Sequence, residues 1–508
     1  MPETACQIWD YDNAIAEEAI IGQCEFDSVI SEYGENDFVV EFLREQGLWK
    51  TLVSPRALLL KKENGKDVEK LNGIMAVKEL AGVKCIGNTK RLLNDAHLMS
   101  TLGFNLEAMI DKEKWVACQN TLRNHSNRIP TQESYHQFYK HVKFLREKKW
   151  LRGGEYAADG YEIEITVDEA KTTYQDAGKV WSDKENRWKY GYKLLLLVNI
   201  ADGRERVVGV ILDKIQVHET KMLRRLFRYI RHYVCPIEEM ISTLIVDRAY
   251  WDEKLMRYLK EQKGIDFIML AKDNLCMVKD DLRDLIKQDR IDFKPYQLKN
   301  PKYYQRQTDT PLKKPSKEKE YLSTELAIER NLDYAVFKDG YLNIVIRRER
   351  HKDGKPYYIF YVTTLPIKSP ITVVEKYHSR TTIENDVNRE LDQRWFIRSL
   401  AGRSRNIMLT RIMMVLKLFN CEKIMEMKVK KKYEEIKKRQ REREHHSFFN
   451  DTASMIAYVP EKNVFGIFRA RQWNRIHKHC VLQAAILKTE TLGRPLTADD
   501  LREMLPGR

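Results

Sequence analysis

From Tyr156 onward the apolar residues stop recurring at helical spacing and begin to alternate, and this change of period limits the fold more than any other feature of the chain. Ala158-Asp159-Gly160 reads as a turn. After it Tyr161, Ile163, Ile165 and Val167 face one side of a strand, and Glu162, Glu164, Thr166 and Asp168 face the other. YGYKLLLLVNI, Tyr190 to Ile200, is a nearly continuous apolar strand, and Ala201-Asp202-Gly203 turns it into ERVVGVILDKI. Connections this short imply three antiparallel neighbours. A helix from Glu219 to Tyr233 follows, then a buried strand in STLIVDRAYWD ending at Asp247. A helix to Gly264 and another buried strand, DFIMLAKDN, complete the block. Three hairpin-linked strands, then helix, strand, helix, strand, make a mixed sheet covered by helices.

That order matches an RNase H-like α/β fold. The pattern breaks after it: residues 274–375 read as a short helix, a Lys/Pro/Tyr-rich loop (Asn300 to Lys319) and a strand meander with turns at Lys338-Asp339-Gly340 and Lys352-Asp353-Gly354. We expect a mostly β insertion there. KYHSRTTIENDVNRELDQRW, Lys376 to Trp395, then contains neither Pro nor Gly and can run as one helix. Tyr377, Arg380 and Glu384 fall on one face of it. By itself that stripe reads equally as a solvated face with an Arg-Glu pair. Together with Asp168 and Asp247 at strand ends it offers three carboxylates. Hydrolysis or transfer of a phosphodiester needs charge neutralised at phosphorus and a water or 3′-hydroxyl activated. Two Mg²⁺ ions about 3.5–4 Å apart do both, and Mg²⁺ takes hard oxygen ligands. Singly, each aspartate reads as a local cap, and Asp159 is a rival to Asp168.

The chain has 508 residues, with 89 Lys and Arg against 74 Asp and Glu, a net charge of +15 that favours a polyanionic partner, nucleic acid first. No apolar run approaches the roughly 20 residues of a membrane span. The acidic, polar start MPETACQIWDYDNAIAEEAI does not read as a signal peptide. Eight scattered cysteines without a CxxC pair argue against a zinc module and for a reducing, cytoplasmic compartment. His477, His479 and Cys480 lack a second ligand cluster and read as structural or solvent-facing. Residues 1–150 show helical spacing and are expected to bind DNA. Residues 151–273 and 376–420 would form the catalytic domain around the 274–375 insertion. Residues 421–508, with the charged stretch Met427 to His446, form a basic C-terminal region.

ITVDEAKTT, STLIVDRAYWD and YHSRTTIEN resemble the prokaryotic insertion-sequence DDE transposases marked by a Tyr-x2-Arg-x3-Glu-x6-Lys signature; GYKLLLLVNIADG and YYIFYVTTLP add to the likeness, which spans residues 156–420. The resemblance implies a catalytic, metal-binding triad of Asp168, Asp247 and Glu384 holding two Mg²⁺ or Mn²⁺ ions. It implies hydrolysis at transposon ends, attack of a 3′-hydroxyl on target DNA, and a synaptic homodimer on terminal inverted repeats. Tyr377 and Arg380 would contact DNA phosphate. Leu391 stands where the signature has lysine, and Arg394, or second to it Arg398, is the candidate replacement. The other readings are an RNase H-fold nuclease that cuts without joining, and a non-catalytic DNA-binding descendant of a transposase.

Overall fold

The structure, a computed structural model, describes residues 10–22, 24–31, 35–54, 67–104, 117–200, 205–271, 275–296, 321–334, 337–351, 356–381, 383–399, 404–428, 454–469 and 476. The expected turns at 201–203 and 352–354, the loop at 300–319, most of the 427–446 stretch, His477, His479 and Cys480 lie outside them. The chain forms two compact units, Phe138–Arg398 and Met1–Gln137 with Ser399–Arg508.

The first unit is built on a sheet of ten strands: β1 Gly154–Ile165, β2 Gly178–Ser182, β3 Arg187–Asn199, β4 Arg206–Lys214, β5 Ile241–Val246, β6 Asp266–Leu270, β7 Lys294–Pro295, β8 Tyr321–Tyr334, β9 Phe337–His351 and β10 Pro356–Thr363. The spatial order is β2-β3-β1-β5-β6-β10-β9-β8-β7, with β4 also on β3. Within it β4-β3-β1-β5-β6 has β1, β5 and β6 parallel and β3 antiparallel to both β1 and β4, the RNase H order expected. The helices labelled here are α1 Val167–Thr172, α2 Glu219–Tyr233, α3 Glu253–Arg257, α4 Cys276–Lys287, α5 Pro370–Ser379 and α6 Arg389–Gln393.

The centre of this sheet follows from its apolar runs. Leu194 to Val198 of β3, Val207, Val208 and Val210 to Leu212 of β4, and Leu244 to Val246 of β5 are all at most 1% exposed, as strands covered on both faces must be. Met222, Leu223, Leu226, Phe227 and Ile230 form the buried stripe of α2. Gly209 makes room for it: a Cβ there would meet Leu226 Cδ2 at 2.6 Å. At Gly191 (φ 149°) β3 changes its outer neighbour from β2 to β4, and a Cβ would lie 2.1 Å from the Ile163 carbonyl oxygen.

Three expectations are corrected. Ala158-Asp159-Gly160 is not a turn, since β1 runs through it unbroken. Gly160 is glycine because a Cβ would lie 2.4 Å from Glu219 Oε1. Lys338-Asp339-Gly340 likewise lies inside β9. The strands of the 274–375 region continue the same sheet: β10 pairs antiparallel with β6, and β7 to β9 follow it. The helix expected over 376–395 is broken, with α5 ending at Ser379, a π-helical turn over Ile383–Asn388, and α6 after it.

The second unit joins the two flanking regions that the sequence suggested were separate. Its sheet orders Asp10–Tyr11, Val464–Arg469, Ser454–Val459 and Asp27–Ser31, so the paired C-terminal strands lie between two N-terminal ones. Its long helix, Arg405–Lys428, is largely buried against helices of the N-terminal half. A fully buried ionic cluster ties them: Arg411 Nε lies 3.1 Å from Glu79 Oε2, and Lys78 Nζ 2.7 Å from Glu79 Oε1.

Candidate active site

Ala158 of β1 is in register with Val246 of the parallel strand β5, so the next rung sets Asp159 beside Asp247. Neighbouring strands are about 4.8 Å apart, so the two aspartates stand side by side where β5 ends and β1 continues. Asp247 ends β5 in extended conformation, and its carboxylate accepts a hydrogen bond from the Arg248 amide at 2.7 Å. The Asp159 carboxylate accepts one from Asn388 Nδ2 at 3.2 Å, and Arg380 Nη1 lies 3.7 Å from its other oxygen.

Glu384 sits on the π-helical turn, four residues after Arg380 and four before Asn388. Its backbone therefore lies midway between the two residues that reach Asp159; its side chain is outside the described set. Insertions of π geometry into helices are frequent at functional sites. Among the described residues no three acidic, histidine or cysteine side chains converge to hold a metal, and Asp159 and Asp247 form a pair.

The strands beyond β6 hold this segment in place. Val373, Val374 and Tyr377 of α5 are buried over β6 and β8 to β10. Tyr377 meets the edge of Tyr361 of β10 at 5.3 Å between ring centroids, and the Arg380 guanidinium lies 5.6 Å above the Tyr377 ring. Burial, opposed by Arg380 and reinforced by the Asp247 charge, pushes the Tyr377 hydroxyl up to about 12. Arg347 of β9, paired with Glu349, donates to His378 Nε2 at 3.2 Å. Burial first, then that guanidinium, pulls His378 down to about 4, so it is neutral at pH 7. Tyr250 lies on the other flank, its hydroxyl pushed well up by burial and by the carboxylates of Glu219 and Asp159.

The structure does not bring Asp168 to this group. The strand runs six residues from Asp159 to Ile165, roughly 20 Å. Asp168 is exposed in the first turn of α1, where Thr166 and Glu169 form a capping box. Leu391 is fully buried. Arg394 is held 3.5 Å from Glu390 and lies over Trp395. Arg398 pairs with Asp392 at 2.9 Å and lies 4.4 Å over the ring of Tyr161, two residues along β1 from Asp159 and hence on the same face. The sequence reading missed Asn388, which the four-residue step from Glu384 marks, and Glu219 at the start of α2.

A sheet in this order, with two aspartates abreast on adjacent parallel strands, one within its strand and one just past the end of its neighbour, and a polar helix laid across them, is the framework of an RNase H-like phosphodiester-processing enzyme. A family model described as the transposase DDE domain matches residues 162–421. The chain belongs to that family and is a DNA transposase, an enzyme of DNA cleavage and strand transfer. Enzymes of this family work with divalent metal ions. No curated protein matches the chain. Among solved structures, a piggyBac transposase synaptic complex with hairpin DNA is similar at 12% identity over 100% of this chain and 88% of that one, with a TM-score of 0.37, too slight to bear on the fold. Among the described residues, no helix is long and apolar enough to cross a membrane.

Proposed function

We propose that Asp159, Asp247 and Glu384, rather than Asp168, Asp247 and Glu384, form the catalytic triad that cleaves transposon ends and joins them to target DNA. The observation that carries this is the β1–β5 register, which sets Asp159 and Asp247 abreast, with Arg380 and Asn388 on Asp159 at either side of Glu384. Hard carboxylate oxygens in this arrangement suit Mg²⁺ or Mn²⁺. Two such ions, when bound, supply charge neutralisation at phosphorus and activation of the attacking hydroxyl.

The protein's own groups have separable tasks. Asn388 holds one oxygen of Asp159 and so fixes the carboxylate's rotation. Arg380, 8% exposed, offsets the negative charge that the carboxylates accumulate and is the cation placed to meet a non-bridging phosphate oxygen. Tyr377, buried beneath it, acts through Arg380 by setting its position. Both candidates for the missing lysine pair with a carboxylate, Arg394 with Glu390 and Arg398 with Asp392, but Arg398 lies over Tyr161 on the face of Asp159. We therefore assign the second phosphate contact to Arg398 before Arg394. Recognition of terminal inverted repeats falls to the Met1–Gln137 and Ser399–Arg508 unit, and pairing of two ends calls for a homodimer.

The test is cleavage of DNA carrying the element's own ends. Asp247→Asn and Glu384→Gln should abolish metal-dependent cutting while end binding persists, because catalysis and phosphate contact use different groups. Cutting that resists EDTA, or survives in Glu384→Gln, refutes the assignment.

A further inference from the structure

Helix α2 carries a surface that the catalytic site does not use. Its sequence, ETKMLRRLFRYIRHY, buries an apolar stripe on the sheet and leaves Lys221, Arg224, Arg228, Arg231 and His232 exposed. Beyond Glu219 at its start, the helix has no acidic residue. Two grooves flank the ridge. One, of about 400 Å³, has Phe227, Ile237 and Leu255 as its floor, with Arg224, Arg231 and Lys254 at its rim. The other, of about 390 Å³, holds Arg225, His232, Tyr229 and Tyr233, and the two tyrosine rings stack at 6.0 Å. Arg228 lines both.

Local acids match part of this charge. Arg224 pairs with Asp252 at 2.6 Å, and Arg225 pairs with Asp213. Glu238, an acid within the field of Arg231, is bonded to Lys263 at 3.0 Å. Arg228, Arg231 and Lys254 make no ion pair among the described residues. Three unmatched cations side by side repel one another, and a folded chain gains nothing from that arrangement unless an anion joins them.

We propose that the α2 ridge is a second DNA contact, gripping the phosphate backbone of duplex next to the scissile phosphate without reading its sequence. The inference rests on the transposase reading, and two features of geometry support it. The helix starts at Glu219, against Gly160 and next to Asp159, so the ridge leads directly away from the catalytic end of the sheet. Arg224, Arg228 and Arg231 stand at i, i+4 and i+7, spanning about 10 Å at 1.5 Å per residue. That equals about three base steps of 3.4 Å along one DNA strand. The arginine heads meet phosphates, and the tyrosine-lined groove beside them takes the sugar edge.

The experiment measures affinity for random-sequence duplex against salt, using the full chain and the double variant Arg228→Ala/Arg231→Ala, both residues being exposed and outside the core. Each lost phosphate contact removes about 0.9 from the log–log salt slope, so the variant should lose about 1.8. Affinity should fall about 30-fold at 0.15 M salt and about 200-fold at 0.05 M. The Arg228→Lys/Arg231→Lys pair should keep the wild-type slope. At saturating DNA the alanine variant should still cut with divalent metal. An unchanged slope overturns the proposal, including the case in which the groove serves an acidic protein. A wild-type chain that neither binds nor cuts DNA overturns the transposase reading itself.

Discussion

Replacing Asp159 and Asp168 separately by asparagine distinguishes the structure's first carboxylate from the sequence's. The six residue steps of β1 from Asp159 to Ile165 already span roughly 20 Å, and α1 carries Asp168 onward from there. Mg²⁺–oxygen bonds are about 2.1 Å long, and paired ions sit about 4 Å apart. A site that contains Asp247 therefore contains Asp159 and leaves Asp168 outside. Metal ligands contribute several kcal/mol of transition-state charge stabilisation. At about 4 kcal/mol, Asp159→Asn should slow cleavage about 10³-fold. The fold should persist, because the asparagine keeps an oxygen to accept from Asn388. Asp168→Asn changes an exposed side chain of a short helix, worth within about 0.5 kcal/mol, so cleavage should stay within about two-fold. The assay is single-turnover cleavage of end-bearing DNA in Mg²⁺ and in Mn²⁺, with circular dichroism as the folding control. Near-wild-type cleavage by Asp159→Asn, or a loss on the 10³-fold scale in Asp168→Asn, would refute the register argument.

Further outcomes follow from particular contacts. Gly191→Ala should destabilise the Phe138–Arg398 unit by at least about 2 kcal/mol, because its Cβ meets a backbone oxygen at positive φ. Gly264→Ala, also at positive φ but in open space, should cost only about 1 kcal/mol; equal melting shifts would contradict this. Glu79→Gln should cost about 3–5 kcal/mol by leaving the Lys78 and Arg411 cations buried together, whereas Arg411→Met, which leaves the Lys78–Glu79 pair intact, should cost less; the reverse order in urea unfolding would count against the cluster's pairing. His378, held near 4 in the fold against about 6.5 unfolded, is protonated first in the unfolded chain as pH falls. Its contribution is complete above pH 6.5 and is lost between 6.5 and 4, up to about 3 kcal/mol. His378→Gln should flatten that part of the stability profile, and a variant parallel to wild type would show that the histidine does not titrate there.

What the sequence made legible was whatever the local pattern determines. The β3 and β4 runs are apolar throughout because both faces are covered, and Asp247 stands out as the first polar residue after such a run. The α2 boundaries coincide with those read from periodicity. Local signals misled where one residue type has two meanings. Gly160 looks like a turn glycine beside Asp159, yet it is there because Glu219 occupies the space of its side chain. Thr166-Val167-Asp168-Glu169 carries a capping box, a helix-start signal that outranks the apolar-polar alternation continuing into it. Weighed first, it would have ended β1 at Ile165 and moved the first carboxylate back to Asp159.

Pairings between distant parts of the chain were not legible, because no local pattern encodes a partner. Asp10 pairs with Val464, and Thr363 with Ile268. The second pairing changes how the insertion is understood. As strands continuing the sheet past β6, β8 to β10 form the floor on which α5 lies, with Tyr361 against Tyr377 and Arg347 against His378. The position of Arg380, and through the π-helical turn that of Glu384, is thus set by strands that contribute no residue to the proposed triad. The buried Leu391 fits the same account: where the signature has a lysine, this chain has a core residue anchoring α6, and a cation lies further along instead, Arg398 over Tyr161.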